Sequence, residues 1–160
     1  MKAEYINCFL EAANLVFTDL LKEKLIRGKT QITPKFSPSS TFDIAILIGL
    51  DGSVIGKVLY AFPEYTAKKI FEQLMGTYDE EMFRREFKDV LGEVGNMITG
   101  NAMNIFLNKQ QFIEVSVPEV IDLKEKSFPS FDSLTVRLNM YSKLGMMEID
   151  VTLKEKDTKF

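Results

Sequence analysis

Residues 87–102 read Phe87-Lys88-Asp89-Val90-Leu91-Gly92-Glu93-Val94-Gly95-Asn96-Met97-Ile98-Thr99-Gly100-Asn101-Ala102. Asp89, Glu93, Asn96 and Gly100 follow one another in steps of four, three and four, which stacks them on one face of an α-helix. A carboxylate there can anchor a cation. A carboxamide can hold a water molecule through its donor and its acceptor at once. Neither group is a nucleophile, and the rest of the chain offers little help. It contains no His, which excludes His-based triads, imidazole proton shuttles and the common zinc sites. Its one Cys, Cys8, lies in an apolar run and is expected in the core. No metal site and no cofactor of the chain's own are expected. Glu93 and Asn96 suit positioning roles, assisting chemistry whose electrophile and metal sit on another molecule.

The composition of the stretch is unusual for a helix. Three glycines and two asparagines fall within ten residues, where a solvated face would carry Lys, Glu, Arg and Ala. Each Gly costs about 1 kcal/mol relative to Ala in a helix interior. Two readings account for that penalty. In the first, Asp89, Gly92, Gly95 and Gly100 form a substrate-binding surface, and the glycines leave Glu93 and Asn96 unshadowed for a close-approaching protein. In the second, the glycines serve tight helix packing, and Glu93 and Asn96 are simply solvated. Glu11-x-x-Asn14 repeats the spacing near the N-terminus, with Asn7 where the later copy has Asp89. Glu11 and Asn14 are a candidate second site, or else an ordinary exposed helix face.

The elements that must hold these residues follow from periodicity. Apolar residues at helical spacing predict a helix over 4–27, closed by Gly28. A short β-prone run covers 30–36, and strands are expected over 42–49 and 54–62. Asp51-Gly52 between them is a strong hairpin signal. Pro63-Glu64 opens a helix ended by Gly76. Asp79 caps the longest helix, which runs to about Leu107 with room for a break. A strand over 112–117 stops at Pro118, the run 124–130 is a loop, and strands over 134–141 and 146–153 make a second hairpin. The tail 154–160 is charged and expected to fray. Short connections between consecutive strands imply an antiparallel sheet packed against long helices, an α+β single domain spanning 1–160. Each half reads helix, short strand, loop and hairpin, so 30–62 and 111–153 are a candidate internal duplication.

The bulk composition narrows the partners. With 160 residues, 20 Lys+Arg against 23 Asp+Glu and a net charge of −3, the chain collapses into one domain and has no basic surface for nucleic acid. No apolar run reaches the roughly 20 residues needed to span a bilayer. The N-terminus lacks a signal-peptide core, and the single Cys suits a reducing compartment, so a cytoplasmic location is expected.

Asp89-x-x-x-Glu93-x-x-Asn96, followed by Pro118 beyond the helix, resembles the signature of the CheC/CheX/FliY phosphatases of bacterial chemotaxis. The run 92–102 is most similar to the CheX branch, as is the opening Tyr5-Ile6-Asn7-Cys8-Phe9-Leu10-Glu11-Ala12. The resemblance implies a phosphatase acting on a phosphorylated CheY-like response regulator, a receiver that carries its own Mg²⁺ beside an aspartyl phosphate. It implies that Glu93 pairs with the receiver's active-site Lys and that Asn96 orients the attacking water. It also implies a homodimer joined along sheet edges. Two rivals stand beside this reading: a non-catalytic adaptor docking on a receiver or the flagellar switch, and a hot-dog-like thioesterase.

Overall fold

The computed structural model describes residues 3–108 and 112–156. Three helices, α1 (Ala3–Asp19), α2 (Glu64–Met75) and α3 (Glu80–Asn108), pack on one face of a seven-stranded antiparallel sheet. The strands are β1 (Ile26–Phe36), β2 (Ile44–Gly52), β3 (Val54–Phe62), β4 (Ile113–Val115), β5 (Glu119–Asp122), β6 (Phe131–Ser142) and β7 (Gly145–Glu155). Their order is β1-β6-β7-β3-β2, with β4 and β5 both pairing with β2 along its far side. The result is the expected α+β domain. The order also reads the same when the halves are exchanged, β1 with β4/β5, β2 with β6 and β3 with β7. Each half lends its first strand to the other half's hairpin, which fits the echo between 30–62 and 111–153.

Alternation along the strands builds the main core. Ile44, Ile46 and Ile48 of β2, Val58, Tyr60 and Phe62 of β3, and Met147, Ile149 and Val151 of β7 point at the helices. α1 and α3 run antiparallel: Tyr5 and Phe9 meet Phe106 at the far end of α3, with ring centroids 5.4 and 6.1 Å apart. Cys8 is buried in this core. α3 is unbroken, and the Asp79 carboxylate caps it by accepting from the Met82 N–H at 3.0 Å. Gly76 ends α2 in the left-handed conformation, φ 77°. Pro63 offers no side-chain cap to α2, and Asp43 supplies it from outside the helix, accepting the Glu64 N–H at 2.7 Å.

Several boundaries differ from the sequence reading. The first helix ends at Asp19 rather than Arg27. Lys22 takes a left-handed conformation, φ 58°, and the Glu23 N–H returns to the Phe17 carbonyl at 3.0 Å. A lysine in that role carries none of the usual Gly or Asn signal. Leu21 and Leu25 are buried as expected, but in the connection that follows the helix. Gly28 lies within β1 beneath the Tyr141 ring and closes no helix. The strand after α3 is shorter than 112–117. β5, four residues long, went unrecognised because Pro118 breaks the pattern and four residues carry little periodicity. At the C-terminus β7 continues through Glu155, so the expected fraying at 154 and 155 is not observed, and residues 157–160 lie outside the described chain.

The face without helices carries a smaller apolar cluster around Phe36, Ala45 and Leu59, beside a buried charge group. Glu148 and Asp150 of β7 are both sealed from water and share Arg137 of β6, whose Nε lies 3.3 Å from Glu148 and 3.2 Å from Asp150. Ser39 closes over them, its N–H and hydroxyl donating to Glu148 at 3.1 and 2.6 Å. Burial, and then the neighbouring Glu148 charge, push the Asp150 carboxyl up to about 8. An unfolded Asp titrates near about 3.9, so folding takes up a proton between the two values, and stability falls as pH rises across that window. The thermal unfolding midpoint should therefore be lower at pH 9 than at pH 6, and Asp150→Asn should flatten that slope. An unchanged slope in Asp150→Asn, read by circular dichroism, would assign the pH dependence to other groups.

Candidate functional site

The seating of α3 on the sheet decides which of its residues remain available. Leu91, Val94 and Ile98 are buried in the core as the apolar face requires. Gly92 and Gly95 are buried with them. A Cβ on Gly95 would lie 2.7 Å from the Ile46 Cγ2 atom of β2. A Cβ on Gly92 would touch Val120 of β5 at 3.4 Å and Pro118 at 3.7 Å. Gly95 therefore lets the helix backbone settle onto the sheet, and Gly92 faces β5 and Pro118 with room for ordinary contact. The two glycines do not form the substrate-binding surface expected of them, because their open side faces inward. Gly100 differs: a Cβ there would meet nothing within 4 Å, and it remains on the exposed face.

A buried hydrogen-bond chain fixes the same turn. Burial raises the Tyr60 phenol well above its ordinary range, so it stays protonated. The Thr99 hydroxyl donates to the Gly95 carbonyl at 2.8 Å and accepts from the Tyr60 hydroxyl, also at 2.8 Å. β3 is thereby tied to the peptide immediately before Asn96. Asn101, the second asparagine of the stretch, turns its amide back onto the Met97 carbonyl at 2.8 Å and is spent on its own helix.

Asp89, Glu93 and Asn96 are exposed on the outer side of this anchored segment, and none has a hydrogen-bond or ion-pair partner among the described residues. The spacing thus does place them on one solvent face. Glu11 and Asn14 are likewise exposed on α1, which packs beside α3. Val90 and Met97 are only half-buried. They join Leu20 and Leu74 in an apolar hollow beside Glu93. That hollow was not legible in the sequence, because Leu20 reaches it only where α1 stops and Leu74 only from α2. Lys68 and Arg84 form surface ion pairs, Lys68 with Glu80 at the start of α3 and Arg84 with both Glu80 and Glu64, the latter at the start of α2.

Among the described residues no group of three or more His, Cys, Asp or Glu side chains could hold a metal ion. No described helix is long and apolar enough to cross a membrane. The arrangement is an exposed helix face bearing one carboxamide and two carboxylates.

The pattern of the chemotaxis phosphatase CheX family matches residues 44–135, more than half of the chain. The chain belongs to the CheX family. A curated relative, the CheY-P phosphatase CheX of Thermotoga maritima, is 28% identical over 113 residues, covering 64% of this chain and 73% of that protein. Among solved structures, a CheC-like superfamily protein from Shewanella sp. PV-4 superposes with a TM-score of 0.84 at 24% identity, covering 96% of this chain and 99% of that one. CheX in the CheX–CheY–BeF₃–Mg²⁺ complex from Borrelia burgdorferi superposes at 0.72 with 21% identity, covering 96% and 100%. Both likenesses establish a CheX-type fold.

The packing of the three glycines carries a prediction. Gly100→Ala should raise stability by about 1 kcal/mol, since it adds helix propensity in open space. Gly95→Ala should lose about 1–2 kcal/mol net, because the β-branched Ile46 cannot swing away from the added methyl. Denaturant unfolding of both variants measures the contrast, and equal effects would mean that α3 does not sit against β2 as described.

Proposed function

We propose that this chain dephosphorylates the aspartyl phosphate of a CheY-type receiver, with Glu93 docking the receiver and Asn96 positioning the hydrolytic water. One observation carries the reading: Glu93 and Asn96 stand exposed, without a partner among the described residues, on a helix segment anchored by the Gly95 contact and the Tyr60–Thr99 bond. The relatives support it, since one is named a CheY-P phosphatase and another was solved in complex with CheY. In this scheme the receiver brings the phosphoryl group and its Mg²⁺. Glu93 meets the ammonium of a receiver lysine. The Asn96 carboxamide enters the receiver's pocket and holds a water in line with the bond to be broken. The water oxygen attacks phosphorus as the bond to the aspartyl oxygen breaks, releasing inorganic phosphate and a free carboxylate. Asp89, one turn from Glu93, adds negative charge that steers a basic partner.

The proposal includes a homodimer. β1 is an edge strand that pairs only with β6, and it leaves Ile26 and Ile32 exposed at 57% and 72%. An unpaired edge bearing apolar side chains is a natural seam for a second copy. Sedimentation should show a dimer at micromolar concentration, and a monomer there would reject the seam.

The two side chains should fail differently. Asn96→Ala should lower the saturating dephosphorylation rate by about a hundredfold, the scale of one lost transition-state contact of about 3 kcal/mol. Receiver binding should persist. Glu93→Ala should raise the half-saturating concentration as well, because it leaves a receiver lysine unpaired at the interface. If Asn96→Ala works at the parent rate, the exposed stripe is a docking surface alone and the adaptor reading replaces this one. The thioesterase alternative gains nothing from the geometry, since Glu93 stands on the surface rather than at the end of a tunnel.

A further inference from the structure

Beside Glu93 the three helices leave a hollow of about 350 Å³. Leu20, Leu74, Val90, Val94 and Met97 line it, and all but Val94 are only half-buried. Asp89 and Glu93 stand at its rim. The charges at the starts of α2 and α3 are neutralised within the chain: Glu64 of α2 and Glu80 of α3 each meet Arg84, at 2.5 and 3.0 Å, and Glu80 also meets Lys68 at 3.1 Å. The two rim carboxylates have no such cation among the described residues. An apolar depression bracketed by two uncompensated carboxylates is complementary to a partner that presents an apolar side chain beside a basic one.

We propose that this hollow is a docking pocket for one aliphatic or aromatic side chain of the receiver, carried next to the receiver's cation. The inference rests on the functional reading above and adds to it a recognition site of stated chemistry. Helix geometry connects the two. Val90 and Met97 lie three residues before and four after Glu93, so they flank it on the same face. A partner that brings a lysine to Glu93 must also cover Val90 and Met97. With the hollow left empty, that contact would trap a void beside a desolvated ion pair. Filled by an apolar side chain, the same hollow gives the interface a buried anchor and excludes water from the Glu93 pair. The volume leaves room for one large side chain. Selection among receivers then depends on the residue beside the lysine, and not on the lysine alone.

The test fills the hollow from two different helices. Val90→Trp plugs it from α3. Leu74→Trp plugs it from α2 and leaves the helix that bears Glu93 and Asn96 untouched. Each is compared with the parent in two measurements. One is calorimetric titration with a CheY-type receiver loaded with beryllofluoride and Mg²⁺. The other is steady-state dephosphorylation of the phospho-receiver, resolved into kcat and KM. Both Trp variants should weaken Kd and raise KM by about tenfold or more while kcat stays near the parent value and the unfolding midpoint is unchanged. If the parent binds and turns over the receiver but both plugged variants match it in Kd and KM, the hollow is not a docking pocket and the phosphatase reading stands. A lowered kcat with unchanged KM would place the effect on catalytic geometry and also overturn the pocket. If the parent neither binds nor dephosphorylates the receiver, the functional reading fails first and the receiver pocket with it.

Discussion

The close approach of α3 to the sheet at Gly95 is the constraint on which the rest of the structure depends. Glycine makes it free of strain, because a Cβ there would press on Ile46. Once the helix rests at that depth, its rotation is set. Leu91, Val94 and Ile98 enter the core, Thr99 falls within reach of the Tyr60 hydroxyl, and Glu93 and Asn96 are left outward. The two readings of the glycine-rich stretch are thus parts of one answer. Gly92 and Gly95 serve packing, and packing is what presents the polar pair. A helix interior normally avoids glycine by about 1 kcal/mol per residue, and the burial gained at this contact offsets that penalty.

Positioning chemistry benefits from such rigidity. A water-holding carboxamide acts only if it arrives at the right place without reorganising, and an asparagine on a mobile helix would lose that advantage. Here the peptide preceding Asn96 is held twice, by the glycine contact and by the Tyr60–Thr99–Gly95 hydrogen-bond chain. In its proposed docking role Glu93 needs less precision. A charge pair tolerates wider geometry, and Glu93 borders a hollow rather than a packed wall.

Exchange of the two halves preserves the sheet order but not the helical layer. α1 and α3 occupy corresponding places and carry the same Glu-x-x-Asn spacing at Glu11–Asn14 and Glu93–Asn96. α2 sits between the halves and packs on α3, so Leu74 stands beside the later pair. The early stop of α1 at Asp19 brings Leu20 to the same spot. The surroundings of the Glu93–Asn96 pair are therefore built from elements with no counterpart in the repeat. On the opposite face the sheet hides Glu148 and Asp150 around Arg137, a group whose ionisation reports on folding and not on the site.

By itself the sequence determined what local periodicity and turn chemistry can encode. Alternation specified β2, β3, β6 and β7, Asp51-Gly52 and Ser142–Gly145 marked the hairpins, and Gly76 and Asp79 bounded the helices on either side. Steps of four, three and four placed Asp89, Glu93, Asn96 and Gly100 on one face, which needs only helical geometry. Tertiary structure decided the rest, because it depends on contacts between residues remote in sequence. Lys22 ends α1 through a backbone conformation that its residue type disfavours, with the Glu23 amide returned to Phe17. β5 exists because β2 offers an edge to pair with. Asp150 lies in the interior because Arg137 and Glu148 surround it there. Whether a glycine in α3 meets a partner or the sheet was likewise invisible locally, since the residue that answers it for Gly95, Ile46, lies 49 positions earlier in the chain.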